Sequence, residues 1–241
     1  MNHTRKFAAL LLAVLLLVAS LPVAALADSY KVQNLELNQW YSLQSSSNTI
    51  YKLKATGDTV LSFNWKNIKS NTSSSIRLYS DRTCNDQIAV EWIDAASGSS
   101  AFVLYSGTYY IQMYDEKESG KVRFSTKSAS AINKPNYCMS KAITVKAGKK
   151  VTIAQTKKEN YHRWYRIKLP KTQAITFEGV KQYDFDFTLY DRNLNEISCS
   201  YRDNAYVTQG LQPKGTYYME VDRAYTSELA QKGQYISFSW K

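Results

Sequence analysis

The sequence repeats itself. Ser106-Gly107-Thr108-Tyr109-Tyr110-Ile111-Gln112-Met113 returns as Lys214-Gly215-Thr216-Tyr217-Tyr218-Met219-Glu220-Val221, 108 residues later. Tyr51-Lys52-Leu53-Lys54 returns as Tyr165-Arg166-Ile167-Lys168 at an offset of 114, and Leu78-Tyr79 as Leu189-Tyr190 at 111. The falling offsets place two small loop insertions in the first copy. Phe124-Ser125 aligns with Phe238-Ser239, again at 114, so the second copy regains six residues in its last loop. A unit of roughly 110 residues is domain-sized, well above the ~20–50 residues of solenoid repeats. Any function must therefore be readable from that domain or from a difference between its copies.

Residues 1–27 read as a cleaved secretory signal. Arg5 and Lys6 lead an apolar run from Phe7 to Val18, and Ala25-Leu26-Ala27 gives a small-x-small cleavage pattern before Asp28. That run is short of the ~20 residues a membrane span needs, and no later segment supplies one. No cysteine follows the cleavage pattern, so the expected product is secreted and extracellular, without a lipid anchor. Removing Arg5 and Lys6 lowers the formal charge from +11 to +9. Three cysteines (Cys84, Cys138 and Cys199) are too few for a disulfide scaffold. At most one bridge can form, with Cys138 and Cys199 the expected pair because both lie in the second copy. Each copy is long enough to rely on a hydrophobic core instead.

Both copies predict an all-β fold. Apolar and polar residues alternate in Val60-Leu61-Ser62-Phe63, Ile76-Arg77-Leu78-Tyr79, Tyr109 to Tyr114, Ala174-Ile175-Thr176-Phe177 and Ile236 to Trp240. Nineteen tyrosines with many Ser, Thr and Val favour pleated surfaces over helices. Only Tyr225 to Gln231 suggests a helical turn. Turn-forming residues follow both Leu-Tyr pairs, as Ser80-Asp81-Arg82-Thr83 and Asp191-Arg192-Asn193-Leu194-Asn195. The expected architecture is two tandem β-sandwich domains, jelly-roll-like, over 28–127 and 137–241. A linker over 128–136 joins them, where Ser, Ala, Asn and Pro135 interrupt the alternation.

The second copy carries Tyr183-Asp184-Phe185-Asp186-Phe187-Thr188-Leu189-Tyr190-Asp191, then Pro213-Lys214-Gly215-Thr216-Tyr217-Tyr218. In that order these strands resemble the bacterial pre-peptidase C-terminal domains, β-sandwiches appended to secreted enzymes and related to the collagen-binding domains of clostridial collagenases. The family pattern has a D-x-D-L-x-L-Y strand and a P-x-G-x-Y-Y strand. The first copy departs from it, with Thr72 to Tyr79 lacking the acidic pair and Tyr105-Ser106-Gly107 lacking the proline. The resemblance implies accessory or binding duty rather than catalysis.

The residues themselves also speak against an enzyme. Histidine is the usual general base near neutral pH, and His162 is the only one after the signal. It lies in a basic, aromatic stretch with no obvious carboxylate orienter. Nucleophile elbows, zinc-ligand spacings and phosphate-cradling glycine loops are missing. Two carboxylates can suffice for glycoside hydrolysis, and Glu178, Asp184 and Asp186 are the candidates for such a pair. The metal candidate is a calcium site in the second copy formed by Asp184, Asp186 and Asp191, because alternation puts Asp184 and Asp186 on one strand face. The plainer reading is a wet sheet face and a capped turn, and no other cofactor is called for.

The positive charge is local. From Lys141 to Lys171 ten cations face one acid, Glu159, which equals the +9 excess of the chain after cleavage. Such a patch attracts anionic polymers, although lysines on edge strands also guard against sheet-to-sheet aggregation. If Tyr165, Ile167 and Leu169 face the core, Trp164, Arg166 and Lys168 face outward, where the first copy has Ile50, Lys52 and Lys54. Tyr110, Tyr114 and Tyr218 face outward if Tyr109, Ile111 and Met113 face in. Such rings bind ligands or cover a domain seam. The function expected is a non-catalytic binding protein for a polysaccharide or anionic cell-envelope glycan. Its contacts are Trp164, Arg166, Lys168, Lys149, Lys150, Tyr110 and Tyr218, with no nucleic acid and no membrane span. The alternative is a structural or protein-interaction module whose tyrosine-rich faces dock collagen or a surface protein.

Overall fold

The computed structural model describes residues 30–46, 48–69, 72–156, 162–179, 186–203, 205–222 and 233–241. The signal segment and the helical turn expected over Tyr225 to Gln231 lie outside the described residues. The first copy contributes β1 (Lys31–Asn34), β2 (Trp40–Ser42), β3 (Thr49–Ala55), β4 (Thr59–Lys66), β5 (Ser74–Tyr79), β6 (Gln87–Ile93), β7 (Gly98–Leu104), β8 (Gly107–Asp115) and β9 (Lys121–Ser128). A short helix α1 (Ala129–Ile132) and a 3-10 turn at Met139–Lys141 follow. Then come β10 (Ile143–Val145), β11 (Val151–Gln155), β12 (Arg163–Leu169), β13 (Thr176–Glu178), β14 (Asp186–Tyr190), β15 (Glu196–Ile197), β16 (Cys199–Arg202), β17 (Ala205–Thr208), β18 (Gly215–Asp222) and β19 (Gln234–Trp240).

The fold is all-β, and its sheets repeat as the sequence does. One five-stranded sheet runs β1-β3-β8-β5-β6 and its counterpart runs β10-β12-β18-β14-β15. The other sheet of each copy, smaller in strand residues, runs β2-β9-β4-β7 with four strands and β11-β19-β13-β17-β16 with five. Register repeats too: Tyr51 pairs with Ile111 and Lys52 with Tyr110, as Tyr165 pairs with Met219 and Arg166 with Tyr218. The first strand of each large sheet joins its neighbour in parallel, because the strand between them in sequence crosses to the other sheet. One motif match fails at this level. Phe63 faces Phe124, but its equivalent Phe177 faces Trp240 rather than Phe238. The slip is two residues, so the same side chains still face the core.

Alternation fills the two cores. In β8 Tyr109, Ile111 and Met113 are buried, and in β12 Tyr165, Ile167 and Leu169 are buried. Phe63 packs 5.0 Å from Phe102 and 5.8 Å from Phe124 in the first core. In the second, Tyr165 meets Phe238 edge-on at 5.5 Å, and Phe177 lies 5.0 Å from Phe187. Each such side chain contributes about 1.5–3 kcal/mol on burial. The repeated Gly-Thr-Tyr-Tyr motif now has a cause. Its first tyrosine points inward and turns its hydroxyl back to a carbonyl four residues upstream, Tyr109 to Tyr105 at 3.1 Å and Tyr217 to Pro213 at 2.6 Å. That bond closes the corner before the strand, while the second tyrosine points out.

The seam between the copies is made by the smaller sheets. Val60, Ala101 and Val103, on the outer face of the first, pack with Ala129, Ala154, Ile132 and Tyr235. The Gly233 N–H donates to Val103 O at 2.8 Å, and a Cβ at Gly233 would run into Gln155 O and the Val103 side chain. Segment 128–136 is fastened rather than slack. The Asn133 side chain donates to Ala154 O at 2.7 Å and accepts from Ala154 N at 3.0 Å, in the manner of a strand neighbour. Asn136 holds Trp164 in a related way, its side chain donating to Trp164 O and its backbone carbonyl accepting from Trp164 N, both at 2.8 Å. Among the described residues, the seam cluster contains none of the outward tyrosines Tyr110, Tyr114 and Tyr218.

Candidate functional site

Alternation in β12 and β18 lays out the outer face of the second large sheet. Trp164, Arg166 and Lys168 point away from the core on β12, opposite Glu220, Tyr218 and Thr216 respectively. Tyr190 on β14 lies across from Tyr218 and stacks on Trp164, with ring centroids 5.7 Å apart and planes 20° from parallel. The Arg166 Nε donates to Thr144 Oγ1 at 2.9 Å, which fixes its guanidinium over the sheet edge. The first copy repeats the pairing of cation and ring, with Lys52 across from Tyr110. Ile50 departs from its expected outward exposure and is fully buried. Tyr79, the equivalent of Tyr190, is buried as well and donates its hydroxyl to Gln112 Oε1 at 3.2 Å.

The remaining cations do not join this row. Lys149 and Lys150 sit in the turn before β11 and line a cleft of ≈ 350 Å³, together with Lys134, Lys146, Arg163 and Tyr165. Arg163 does not belong to any exposed patch. It is 1% exposed, its guanidinium lies 4.5 Å from the Tyr137 ring centroid, and Nη1 donates to Lys134 O at 2.9 Å. Lys157 and Lys158 lie outside the described residues. The sequence-predicted ligand set is thus split between an outer-face row, a cleft, and Tyr110 on the other copy.

At the end of the row the structure assembles a group that the sequence reading missed. His162 Nδ1 lies 2.9 Å from Glu220 Oε1 and 2.6 Å from Asp222 Oδ1. The histidine thus has carboxylate partners after all, supplied by a strand 58 residues away. The Tyr190 hydroxyl reaches the other Glu220 oxygen at 3.4 Å, and Asp186 stands directly opposite Asp222. Burial pushes the Asp222 carboxyl above the ordinary carboxylate range; His162 opposes that shift, while Glu220 and Asp186 add to it. The equivalent positions in the first copy are Asn48, Gln112, Tyr114 and Ser75. Reading the repeat for outward positions where the copies differ in charge would have found the group.

Of the expected calcium set, the structure does not bring Asp186 and Asp191 together. Asp186 and Asp191 lie at opposite ends of β14, and Asp184 lies outside the described residues. Asp191 is occupied by its own turn, accepting from Asn193 N at 2.7 Å, Asn195 N at 2.9 Å and Asn195 Nδ2 at 2.9 Å. These bonds, the Asn195 side chain first, hold its carboxyl below the usual range. Glu178 and Asp186 belong to opposite sheets of one sandwich, on β13 and β14, and Glu178 pairs with Lys241. Cys138 and Cys199 do not bridge, since all three cysteines are free thiols. Burial raises Cys84 and Cys199 to about 11, which leaves both thiols unreactive near neutrality.

No family model matches the chain, and no curated protein does. Similar solved structures include the pre-peptidase C-terminal domain of a collagenase from Bacillus anthracis, at 17% identity and a TM-score of 0.33. That match covers 45% of this chain and 99% of the other, about one copy. The CUB1-EGF-CUB2 region of human MASP-1/3 is 7% identical with a TM-score of 0.24, covering 86% of this chain and 95% of that one. The PBSX exported protein XepA is 10% identical with a TM-score of 0.23, covering 88% and 89%. Likeness at this level carries nothing about ligand or activity. Among the described residues no helix is long and apolar enough to cross a membrane.

Proposed function

We propose that this chain is an exported, non-catalytic binding protein. On this reading its domains span 28–127 and 137–241, and its ligand is an extracellular polysaccharide or an anionic envelope glycan. One observation carries the reading: a cation stands across from an outward tyrosine in both large sheets, Lys52 with Tyr110 and Arg166 with Tyr218. A ring offers contact area with a polar tip, and a cation beside it attracts carboxylate or phosphate groups on a sugar chain. In the second copy Trp164 and Tyr190 lengthen the platform.

The test is retention of the protein on insoluble cell walls, neutral polysaccharides and collagen at low and high salt. Retention on walls that falls with salt, and falls further with Arg166→Gln and Lys168→Gln together, is the expected result. Unchanged retention in that double variant removes the cations from the reading. A protein-interaction module is the second reading, favoured by Trp92, which is 56% exposed beside Arg77 on the first large sheet. Salt-resistant retention on collagen would support it.

A further inference from the structure

The His162 group reads as more than an ion pair. His162, Glu220 and Asp222 offer one nitrogen and two carboxylate oxygens, all within 4.8 Å of one another. An ion of zinc type holds such ligands at about 2.0–2.2 Å, which spaces the ligand atoms about 3–4 Å apart, so the ion-pair distances of 2.9 Å and 2.6 Å from His162 Nδ1 would open slightly to admit it. Asp186 stands directly across the ladder from Asp222 on the same outward face, outside this three-residue group. The side chains of His162, Glu220 and Asp222 are 54%, 16% and 37% exposed, so an ion can enter and waters can complete its shell.

Charge supplies an independent reason. Like charges directly opposite in a sheet are destabilising, yet Asp186 faces Asp222 with Glu220 two residues away on the same face. One imidazole, even protonated, offsets one of three negative charges, whereas a divalent ion offsets two. The sandwich itself does not need this arrangement, because the first copy builds the same sheet end with Asn48, Gln112, Tyr114 and Ser75. The Tyr190 hydroxyl on the second Glu220 oxygen is the kind of outer partner that orients a ligating carboxylate.

We propose that His162, Glu220 and Asp222 bind a divalent first-row transition ion of the zinc type, with waters completing its shell. The imidazole selects against calcium, which takes oxygen ligands throughout. This site stands independently of the glycan reading.

The test is calorimetric titration of the full chain with zinc chloride in metal-free buffer, with thermal melts alongside. One saturable zinc site and a melting temperature that rises with zinc are expected. Glu220→Gln and His162→Ala should each weaken binding at least about tenfold, since loss of a mere supporting partner costs about 10–100-fold. Glu220→Gln installs the residue of the first copy, so its apo melting temperature should match that of the parent chain. Cys138→Ser, which removes the exposed thiol, should leave zinc affinity unchanged. The proposal is overturned by the absence of a saturable site, by equal zinc affinity in Glu220→Gln, by loss of binding in Cys138→Ser, or by tighter binding of calcium than of zinc.

Discussion

The two large sheets share strand order, register and inward residues, and they part company at one end of their outer faces. In the first copy Arg77 lies between Trp92 and Tyr114, 5.8 Å and 6.0 Å from their ring centroids, with Ser75 fully buried at the sheet end. In the second, Thr188 replaces Arg77, and His162, Glu220, Asp222 and Asp186 occupy that end. One contact is kept in altered form: Tyr79 donates to the Gln112 amide, Tyr190 to the Glu220 carboxylate. Inward positions are tied to each other by close packing, so both copies keep them. Outward positions answer only to solvent and ligand, and there the copies diverged.

The same strand end shows how differently two carboxylates can be used. Asp115, one residue past Tyr114, is fully buried and accepts from Ser119 N at 2.7 Å, Gly120 N at 2.8 Å and Ser74 Oγ at 2.9 Å. Asp222, at the position of Tyr114, keeps a solvent-facing side chain. Asp115→Ala should therefore lower stability by about 3 kcal/mol, because it orphans buried donors. Asp222→Ala in chelator should cost no more than about 1 kcal/mol. Denaturant midpoints decide it, and equal losses would break the contrast between a closed and an open sheet end.

The copies can differ on their outer faces because the seam lies elsewhere. Gly233→Ala, which pushes a Cβ into Gln155 and Val103, should cost about 2 kcal/mol. Gly57→Ala, with open space around it, should stay within about 0.5 kcal/mol. A harmless Gly233→Ala would mean that the copies are not locked through their smaller sheets.

Acid sharpens the comparison further. Burial raises the Asp115 carboxyl, but bonds from Gly120, Ser74, Ser119 and Lys117 outweigh it and leave the group below its ordinary value. A carboxylate lowered on folding adds stability above the unfolded pKa, near 3.9, and loses it as pH falls through the folded value. The parent chain should thus lose stability below about pH 4 more steeply than Asp115→Asn does, as acid titrations of the melting temperature would show. Parallel curves would mean that the buried carboxylate is not what holds this turn. The smallest effect belongs to the kept contact. Tyr79→Phe should cost about 1 kcal/mol and Tyr190→Phe less, given its longer bond and wetter site. The reverse order would make the Glu220 contact the stronger one.

The sequence by itself determined the repeat, the all-β class and the facing of most strand residues. Period-two alternation is local, and a strand has only two faces, so Tyr109 inward and Tyr110 outward follow from order along the chain. Alternation failed at Ile50, which is buried on a face read as outward, because burial also depends on what packs over a face. Register, the seam and the His162 group were decided only by the tertiary structure. Two residues 58 apart meet only when β12 and β18 pair, and spacing along the chain carries no record of that pairing. The fastening of 128–136 was hidden for the same reason. Its Asn133 and Asn136 look like loop composition until the backbone of Ala154 and Trp164 lies alongside them and takes their side chains as strand neighbours.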